Sequence, residues 1–201
     1  MATTTPNYGW PVPTSTDYVK DGATAIEALG DAIDATVFAN GTAGLKLVKK
    51  QTIGTGVSSV TVTGAFSATY EAYKIIITGG TSSVADRNLN IRFDGSTTGY
   101  YYCLLFGSYA GAAPANTPGN NVNGITYVGL ADTNGLSADI TVTNPFLAKY
   151  SSIIASLSGP TIAGTTTGLH QVATSYTGFV ITPNTGTLTG GTISVYGYGL
   201  T

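Results

Sequence analysis

From Ala43 to the end, the chain is a series of short apolar segments divided by Gly, Asn, Thr and Pro turns. Residues 89–93 show the pattern most clearly, because Leu89, Ile91 and Phe93 alternate with two polar residues. A period of two residues is typical of a half-buried β-strand. About ten or eleven such segments, with no long helical pattern between them, predict an antiparallel fold. We therefore expect a mainly β protein, a jelly-roll-like antiparallel β-sandwich preceded by an extended Pro-rich segment and one short helix.

The apolar pattern and the turn residues between segments define the predicted strands. They are Leu45–Leu47, Val57–Thr63, Tyr73–Thr78, Leu89–Phe93, Tyr100–Phe106, Ile125–Leu130, Leu136–Val142, Ser152–Leu157, His170–Tyr176, Phe179–Ile181 and Thr192–Tyr198. Together with the Pro-rich segment and the helix that precede them, these strands predict three regions of the chain: residues 1–16, 17–41 and 42–201.

One predicted strand, Tyr100–Phe106, is apolar on both faces. An antiparallel sheet with one wet face should alternate, so this strand needs a second cover. A loop of the same subunit or a neighbouring subunit can supply it. We favour subunit contact through Tyr101 and Leu105.

Residues 1–16 are rich in proline, which blocks helix and favours extended backbone. Two aromatic residues lie among the prolines, and one of them is the single Trp of the chain. The segment is either a flexible tail or an extended docking peptide with aromatic anchors, since Trp and Tyr are common anchor residues. The predicted anchoring residues are Tyr8, Trp10, Pro11 and Pro13.

Residues 17–41 are predicted to form a helix with an apolar seam at heptad spacing. Thr24 and Glu27 match a capping box, which would place a helix start there. The helix either forms a self-associating stem or lies on its own domain. For the stem, the seam residues are Val19, Ile26, Leu29 and Ile33.

Charge is scarce: only 9% of the residues are charged, and the formal net charge is −2. Between Gly95 and the end, the charged side chains are Asp132, Asp139 and Lys149. Such a chain lacks the basic stripe of a nucleic-acid binder, and no apolar run is long enough for a membrane span. Surfaces of this kind suit association with neighbouring proteins. We also expect no signal peptide, because the start of the chain lacks a basic and an apolar region.

Residues that carry chemistry are few. One Cys and one His exclude a disulfide scaffold and a zinc site built from several of these residues. We expect Cys103 to be a buried thiol and His170 to be structural. The acids from Glu71 onward lie mostly beside turns, where Asp shapes the chain. We therefore predict no catalytic residue, no cofactor and no metal, with a glycan-cleaving enzyme as the least favoured alternative.

The segment from Gly107 to Gly124 shows no periodicity and is predicted to be a long loop. Asn amides donate and accept hydrogen bonds, which suits sugar hydroxyls. The loop is thus a candidate receptor site, although a subunit-packing loop or a mobile loop has the same pattern. The candidate residues are Asn116, Asn120, Asn121 and Asn123.

Residues Thr5–Ala23 and the Asp-Gly-Ala run at Asp21–Asp34 together resemble an opening segment of structural proteins of tailed bacteriophages. Phe66–Ile75 resembles part of the β domains of fibre-like virion proteins. The resemblance implies that the N-terminal part attaches to another virion protein, that a β domain projects outward, and that the oligomer is a trimer.

These observations predict a virion protein that is assembled in the host cytoplasm. We expect a tail fibre or adhesin that anchors by its N-terminus, associates with copies of itself and presents its β domain to a host surface glycan. The alternative is a capsid decoration or head-fibre protein with the same anchor.

Overall fold

The computed structural model describes residues 3–14, 18–42 and 44–199 of the chain. It divides into two compact units, Met1–Gly44 with Gly199–Thr201 and Leu45–Tyr198. The predicted boundary between residues 16 and 17 lies outside the described residues.

The Pro-rich segment doubles back on itself. Strands β1 (Thr3–Thr4) and β2 (Pro11–Val12) pair antiparallel. The turn is closed by the Thr5 amide donating to the Trp10 carbonyl at 2.9 Å, and Gly9 takes a left-handed φ of 66° within it. The prediction of a simply extended segment is therefore wrong for these residues, because backbone hydrogen bonds and one glycine make a hairpin of them.

A single α-helix lies within the described residues. A 3-10 turn at Val19–Asp21 leads directly into α1 (Gly22–Thr42). Thr24 lies inside α1, so the Thr24–Glu27 pair does not mark the start of the helix as predicted. Neither helical segment in the described ranges has the length and hydropathy needed to cross a bilayer.

The second unit is built from strands, which confirms the mainly β prediction. They are β3 (Gly44–Thr52), β4 (Val60–Val62), β5 (Ala72–Gly79), β6 (Thr81–Ser82), β7 (Arg87–Phe93), β8 (Tyr100–Ser108), β9 (Ala115–Val122), β10 (Ile125–Asp132), β11 (Gly135–Thr143), β12 (Ser151–Ser158), β13 (Ile162–His170), β14 (Phe179–Pro183), β15 (Leu188–Thr189) and β16 (Thr192–Gly199). The pairs formed among strands β4 to β16 are antiparallel.

Strand β11 is the branch point of one large curled sheet. Its first half pairs with β10 and its second half with β12, while β5 runs along its other edge. From β10 a short arm continues through β7 and β14 to β4. From β12 a long arm continues through β13 and β8 to β9. Beyond β5, β16 and then β3 extend the sheet further.

The inner faces of these strands share one hydrophobic cluster. Phe66 joins its parts, since its ring lies 4.9 Å from that of Tyr73 on β5 and 5.6 Å from that of Phe179 on β14. In β5 the residues Tyr73, Ile75 and Ile77 are fully buried and alternate with half-buried neighbours. Aromatic rings of this kind bury large areas and hold such a core together.

The structure corrects three local predictions. Of the predicted strand His170–Tyr176, only His170 belongs to a strand, the last residue of β13. The predicted loop Gly107–Gly124 contains β9, which pairs with β8. Cys103 is exposed rather than buried, because it occupies an outward position of β8 while Leu104 points inward.

Candidate functional site

The predicted anchor Trp10 is tied to the helix of its own unit. Its indole Nε1 donates to the Thr36 hydroxyl at 2.9 Å, and that hydroxyl donates to the Ala32 carbonyl at 2.8 Å. Tyr8 stacks on the indole with ring centroids 5.1 Å apart and remains 62% exposed. Pro11 lies in β2, and Pro13 follows it. Tyr8 is therefore an exposed ring held on a fixed support.

The predicted seam of the helix is divided between two environments. Leu29 and Ile33 are half-buried, on the same face as Thr36, to which Trp10 is bonded. Val19 lies in the 3-10 turn and is 98% exposed, and Ile26 is 66% exposed. Part of the seam is thus covered, and part presents apolar side chains to solvent.

Strand β8 alternates between the core and an outward face. Tyr100 and Leu104 are buried, whereas Cys103 and Leu105 are exposed and Tyr101 is half-buried. Leu105 is 63% exposed, so this outward face is apolar and open to solvent in the part of the chain that the structure describes.

The outward positions of the long arm form a surface that we call the uncharged face. Thr165 and Thr167 of β13 lie opposite Leu105 and Cys103, and Ile154 of β12 lies opposite Thr167. No Asp, Glu, Lys or Arg occurs in the sequences of β12, β13, β8 and β9. The uncharged face consists of Tyr101, Cys103, Leu105, Ser152, Ile154, Ser156, Thr165, Thr167 and Leu169.

An ion pair borders the uncharged face on the side of β11. Lys74 of β5 pairs with Asp139 of β11, and Asp139 lies directly opposite Ser156. Charged side chains therefore lie on β5 and β11, next to the β12 side of the long arm.

The four Asn residues of the predicted receptor loop lie on or beside β9. Asn116, Asn120 and Asn121 belong to this strand, and Asn123 follows it. Asn116 lies opposite Leu105, at the margin of the uncharged face. The side-chain oxygen Oδ1 of Asn121 accepts a hydrogen bond from the Gly99 backbone amide at 3.0 Å, so this side chain has a structural role.

Strand β9 forms despite its Asn, Pro and Gly content because β8 supplies a partner and a covering ring. Tyr102 lies opposite Gly119, and any side chain at position 119 would collide with the Tyr102 ring. The Tyr102 hydroxyl is held by Thr126 at 2.5 Å. The ring thus covers a position where only glycine fits.

His170 lies in an aromatic enclosure. Its ring centroid is 4.2 Å from that of Tyr100, 5.2 Å from that of Phe93 and 5.3 Å from that of Tyr176. Nε2 lies 2.9 Å from the Ser96 hydroxyl and 3.2 Å from the Thr98 carbonyl, while Nδ1 is buried without a partner.

This enclosure shifts the pKa values of the groups within it. Burial lowers the pKa of His170 below its usual value, and burial raises the pKa of Tyr100 to about 12. A Ser hydroxyl beside a His can be a nucleophile. Ser96 and His170 are both buried, however, and no carboxylate orients Nδ1. The pair has the geometry of a structural hydrogen bond inside a buried aromatic cluster.

A polar cleft in the second unit was missed by the sequence predictions. It has a volume of about 240 Å³ and lies between the start of β7, the middle of β10 and the turn before β13. The residues that line it are Asp86, Arg87, Asn88, Tyr127, Leu130, Leu157, Gly159, Thr161, Ile162 and Asn184. Within the described ranges, His, Cys, Asp and Glu nowhere gather in a group of three that could bind a metal.

Comparison of the chain with protein-family models, with curated proteins and with solved structures finds no match.

Proposed function

We propose that the chain is a structural protein of a bacteriophage virion, a tail fibre or adhesin rather than an enzyme. The β unit is its jelly-roll-like head, and the hairpin and helix are its attachment and association region. It works as a homo-oligomer, with a trimer favoured, in a particle assembled in the host cytoplasm. The observation that carries the proposal is the uncharged face, together with the resemblance of residues 5–34 to phage structural proteins.

The uncharged face has the properties of a subunit contact. Leu105 is 63% and Ile154 is 47% exposed, and both project from regular strands among Thr and Ser side chains. Covering a surface without charged groups costs little desolvation free energy, because no ion loses its hydration shell. Homo-oligomer interfaces are more apolar than other protein surfaces and are depleted of charged residues.

The first unit supplies support for attachment. Tyr8 is exposed, and its position is fixed by stacking on Trp10, which is bonded to Thr36. A ring that is already ordered loses little conformational freedom when it enters a pocket on another virion protein. The exposed Ile26 adds apolar area at which helices of several copies can meet.

The proposal is tested on particles. Tyr8→Ala should leave a folded oligomer that no longer incorporates into virions, because the exposed ring is removed while the Trp10–Thr36 bond remains. Tyr18→Ala is the matched control, since Tyr18 is also exposed but lies outside residues 1–16. Equal incorporation of the Tyr8 variant and the wild type would contradict the anchoring role.

Labelling of the chain on purified particles separates the two virion locations. Label at the tail tip, with adsorption of the isolated oligomer to host cells, supports the fibre. Label over the capsid, without adsorption, supports the decoration or head-fibre alternative. Absence of label from particles, or a monomer at micromolar concentration in sedimentation equilibrium, contradicts the virion oligomer itself.

A further inference from the structure

The polar cleft is built around two residues with unusual backbone. Asp86 has φ 51° and Tyr127 has φ 60°, and both line the cleft. Left-handed backbone is tolerated by Asp but is a true outlier for a bulky aromatic residue. Strained residues of this kind gather at functional sites when the surrounding structure enforces them.

Tyr127 owes its position to a bulge in β10. Ile125 pairs with Ile91 and Gly129 pairs with Leu89, so four steps along β10 face two steps along β7. Bulges redirect side chains and are frequent beside binding sites. The Thr166 hydroxyl, fully buried on β13, donates to the Tyr127 carbonyl at 2.8 Å and holds the bulge in place.

Asp86 is held by a second buried group. The Asp132 carboxylate accepts the Asp86 amide at 2.6 Å, and it also accepts the backbone and side-chain amides of Asn134. Asp132 is 4% exposed. Two buried polar side chains, Asp132 and Thr166, thus each fix one lining residue of the cleft, which makes it a built site rather than a gap between loops.

The lining has the chemistry that recognises a sugar ring. Tyr127 supplies an aromatic ring for the apolar face of a pyranose. Asp86, Asn88 and Asn184 carry carboxylate and amide groups that donate and accept hydrogen bonds with hydroxyls. The hydrogen bond described for the Asp86 side chain uses Oδ2, with Thr161 at 3.4 Å, which leaves Oδ1 for a ligand.

Size and charge narrow the ligand class. A volume of about 240 Å³ is below the ~300–1,000 Å³ typical of sites for drug-sized ligands, and it suits one ring. Asp86 and Arg87 both line the cleft, so their formal charges cancel and neither an anion nor a cation is favoured.

We infer that this cleft binds a neutral pyranose, such as the terminal sugar of a glycan, with Tyr127 against the ring and Asp86 on its hydroxyls. The inference rests on the proposed function only for the source of the sugar, a host surface glycan. Binding itself is a property of the cleft.

The test is saturation-transfer NMR of the full chain with the methyl glycosides of glucose, galactose, mannose and N-acetylglucosamine, and with those of glucuronic acid and N-acetylneuraminic acid as charged comparisons. At least one of the four neutral glycosides should receive transfer from the wild type. Asp86→Asn should weaken transfer at least tenfold, because Asn keeps the left-handed backbone but removes the charged acceptor. Asp94→Asn, a change at an exposed acid outside the cleft, should have no effect.

Tyr127→Gly gives a second and sharper variant. It should abolish transfer while the melting temperature stays the same or rises, because glycine accepts the left-handed backbone. Tyr150→Ala, at an exposed ring elsewhere, is the matched control. If Tyr127→Gly does not fold, Asp86→Asn decides the test alone.

Three results would overturn the inference: no transfer to any neutral glycoside, transfer that the cleft variants leave unchanged, or transfer only to the charged sugars glucuronic acid and N-acetylneuraminic acid. Sugar binding by a chain that is absent from virions would retain the cleft and refute the proposed function. Incorporation into virions without sugar binding would support the proposed function and refute sugar binding by the cleft.

Discussion

The uncharged face and the polar cleft lie in the same β unit but are built in opposite ways. The face is made of regular strands, with one residue opposite another from β12 to β8 and no backbone irregularity among its central pairs. The cleft depends on a bulge, two left-handed residues and two buried polar groups that hold them.

The difference separates two kinds of recognition. A flat regular surface without charge gains from apolar contact over a wide area, which suits a copy of the same chain. A small irregular cleft with fixed donors and acceptors suits one small polar ligand, because its groups are ordered before binding.

The largest effect is expected on the uncharged face. Leu105→Asp should weaken self-association at least about 100-fold, or ~2.7 kcal/mol, because it buries an unpaired carboxylate in the contact. Thr61→Asp places the same charge on an exposed position of β4, in the short arm, and should leave association unchanged. Sedimentation equilibrium measures both, and an unchanged association constant for Leu105→Asp would show that the face is not the contact.

Glycine substitution distinguishes the two regions by stability. Tyr101→Gly, on β8 where its pairing with β13 is regular, should lower the free energy of unfolding by about 2 kcal/mol through lost packing and backbone freedom. Tyr127→Gly should leave the free energy of unfolding unchanged or raise it by up to about 1 kcal/mol, because relief of left-handed backbone is worth ~1–2 kcal/mol. Urea unfolding measures both. Equal losses would mean that the backbone at Tyr127 is not strained.

Two neighbours on β13 test the support of the bulge. Thr166→Val should cost about 1–2 kcal/mol of unfolding free energy, since the Tyr127 carbonyl loses its buried donor. Thr167→Val, on the exposed side of the same strand, should change it by less than about 0.5 kcal/mol. The comparison uses the same substitution on adjacent residues, so a similar cost at both sites would argue against the hydrogen bond as the cause.

The smallest effect concerns pH. Burial lowers the pKa of His170 in the folded chain, so the unfolded chain binds the proton first as the pH falls. The contribution of His170 to the free energy of unfolding should be fully present at pH 7.5. It should decline below about pH 6.5, by up to about 1.4 kcal/mol at pH 5.5.

Self-association through the uncharged face should be insensitive to salt.

The chain contains one histidine, so its ring C–H resonance in NMR reports the titration of His170 directly. A midpoint at or above 6.5 in the folded protein would contradict the buried, unpartnered Nδ1 as the cause.

The sequence predicts strands well where β-branched and aromatic residues alternate. Tyr73–Thr78 and Leu136–Val142 differ by one residue at each end from β5 and β11. Apart from the two-residue strands, β13 and β9 escape prediction: β13 is rich in Thr and Gly, and β9 in Asn, with a Pro and a Gly. Both strands pair with β8, which supplies their hydrogen bonds and the Tyr102 ring. Such partners lie outside the strand itself, so they leave no signal in its local sequence.

Two apolar residues of the uncharged face, Tyr101 and Leu105, follow from the doubly apolar pattern of their strand, whereas Ile154 and Leu169 were not predicted to belong to a contact. The cleft is not visible in the sequence. Asp86 and Tyr127 are made left-handed by Asp132 and Thr166, which lie 46 and 39 residues away along the chain. Neither residue type favours that backbone strongly enough to reveal it locally.

The bond between Trp10 and Thr36 has a consequence for spectroscopy. Trp10 is the single tryptophan of the chain, whereas the second unit contributes tyrosine emission alone. Selective excitation of the indole therefore follows the hairpin and helix by themselves, whereas the near-ultraviolet circular dichroism of the tyrosines follows mainly the second unit, which holds all of them except Tyr8 and Tyr18. Two melting curves recorded on one sample thus report separately on the first unit and on the second, without any label.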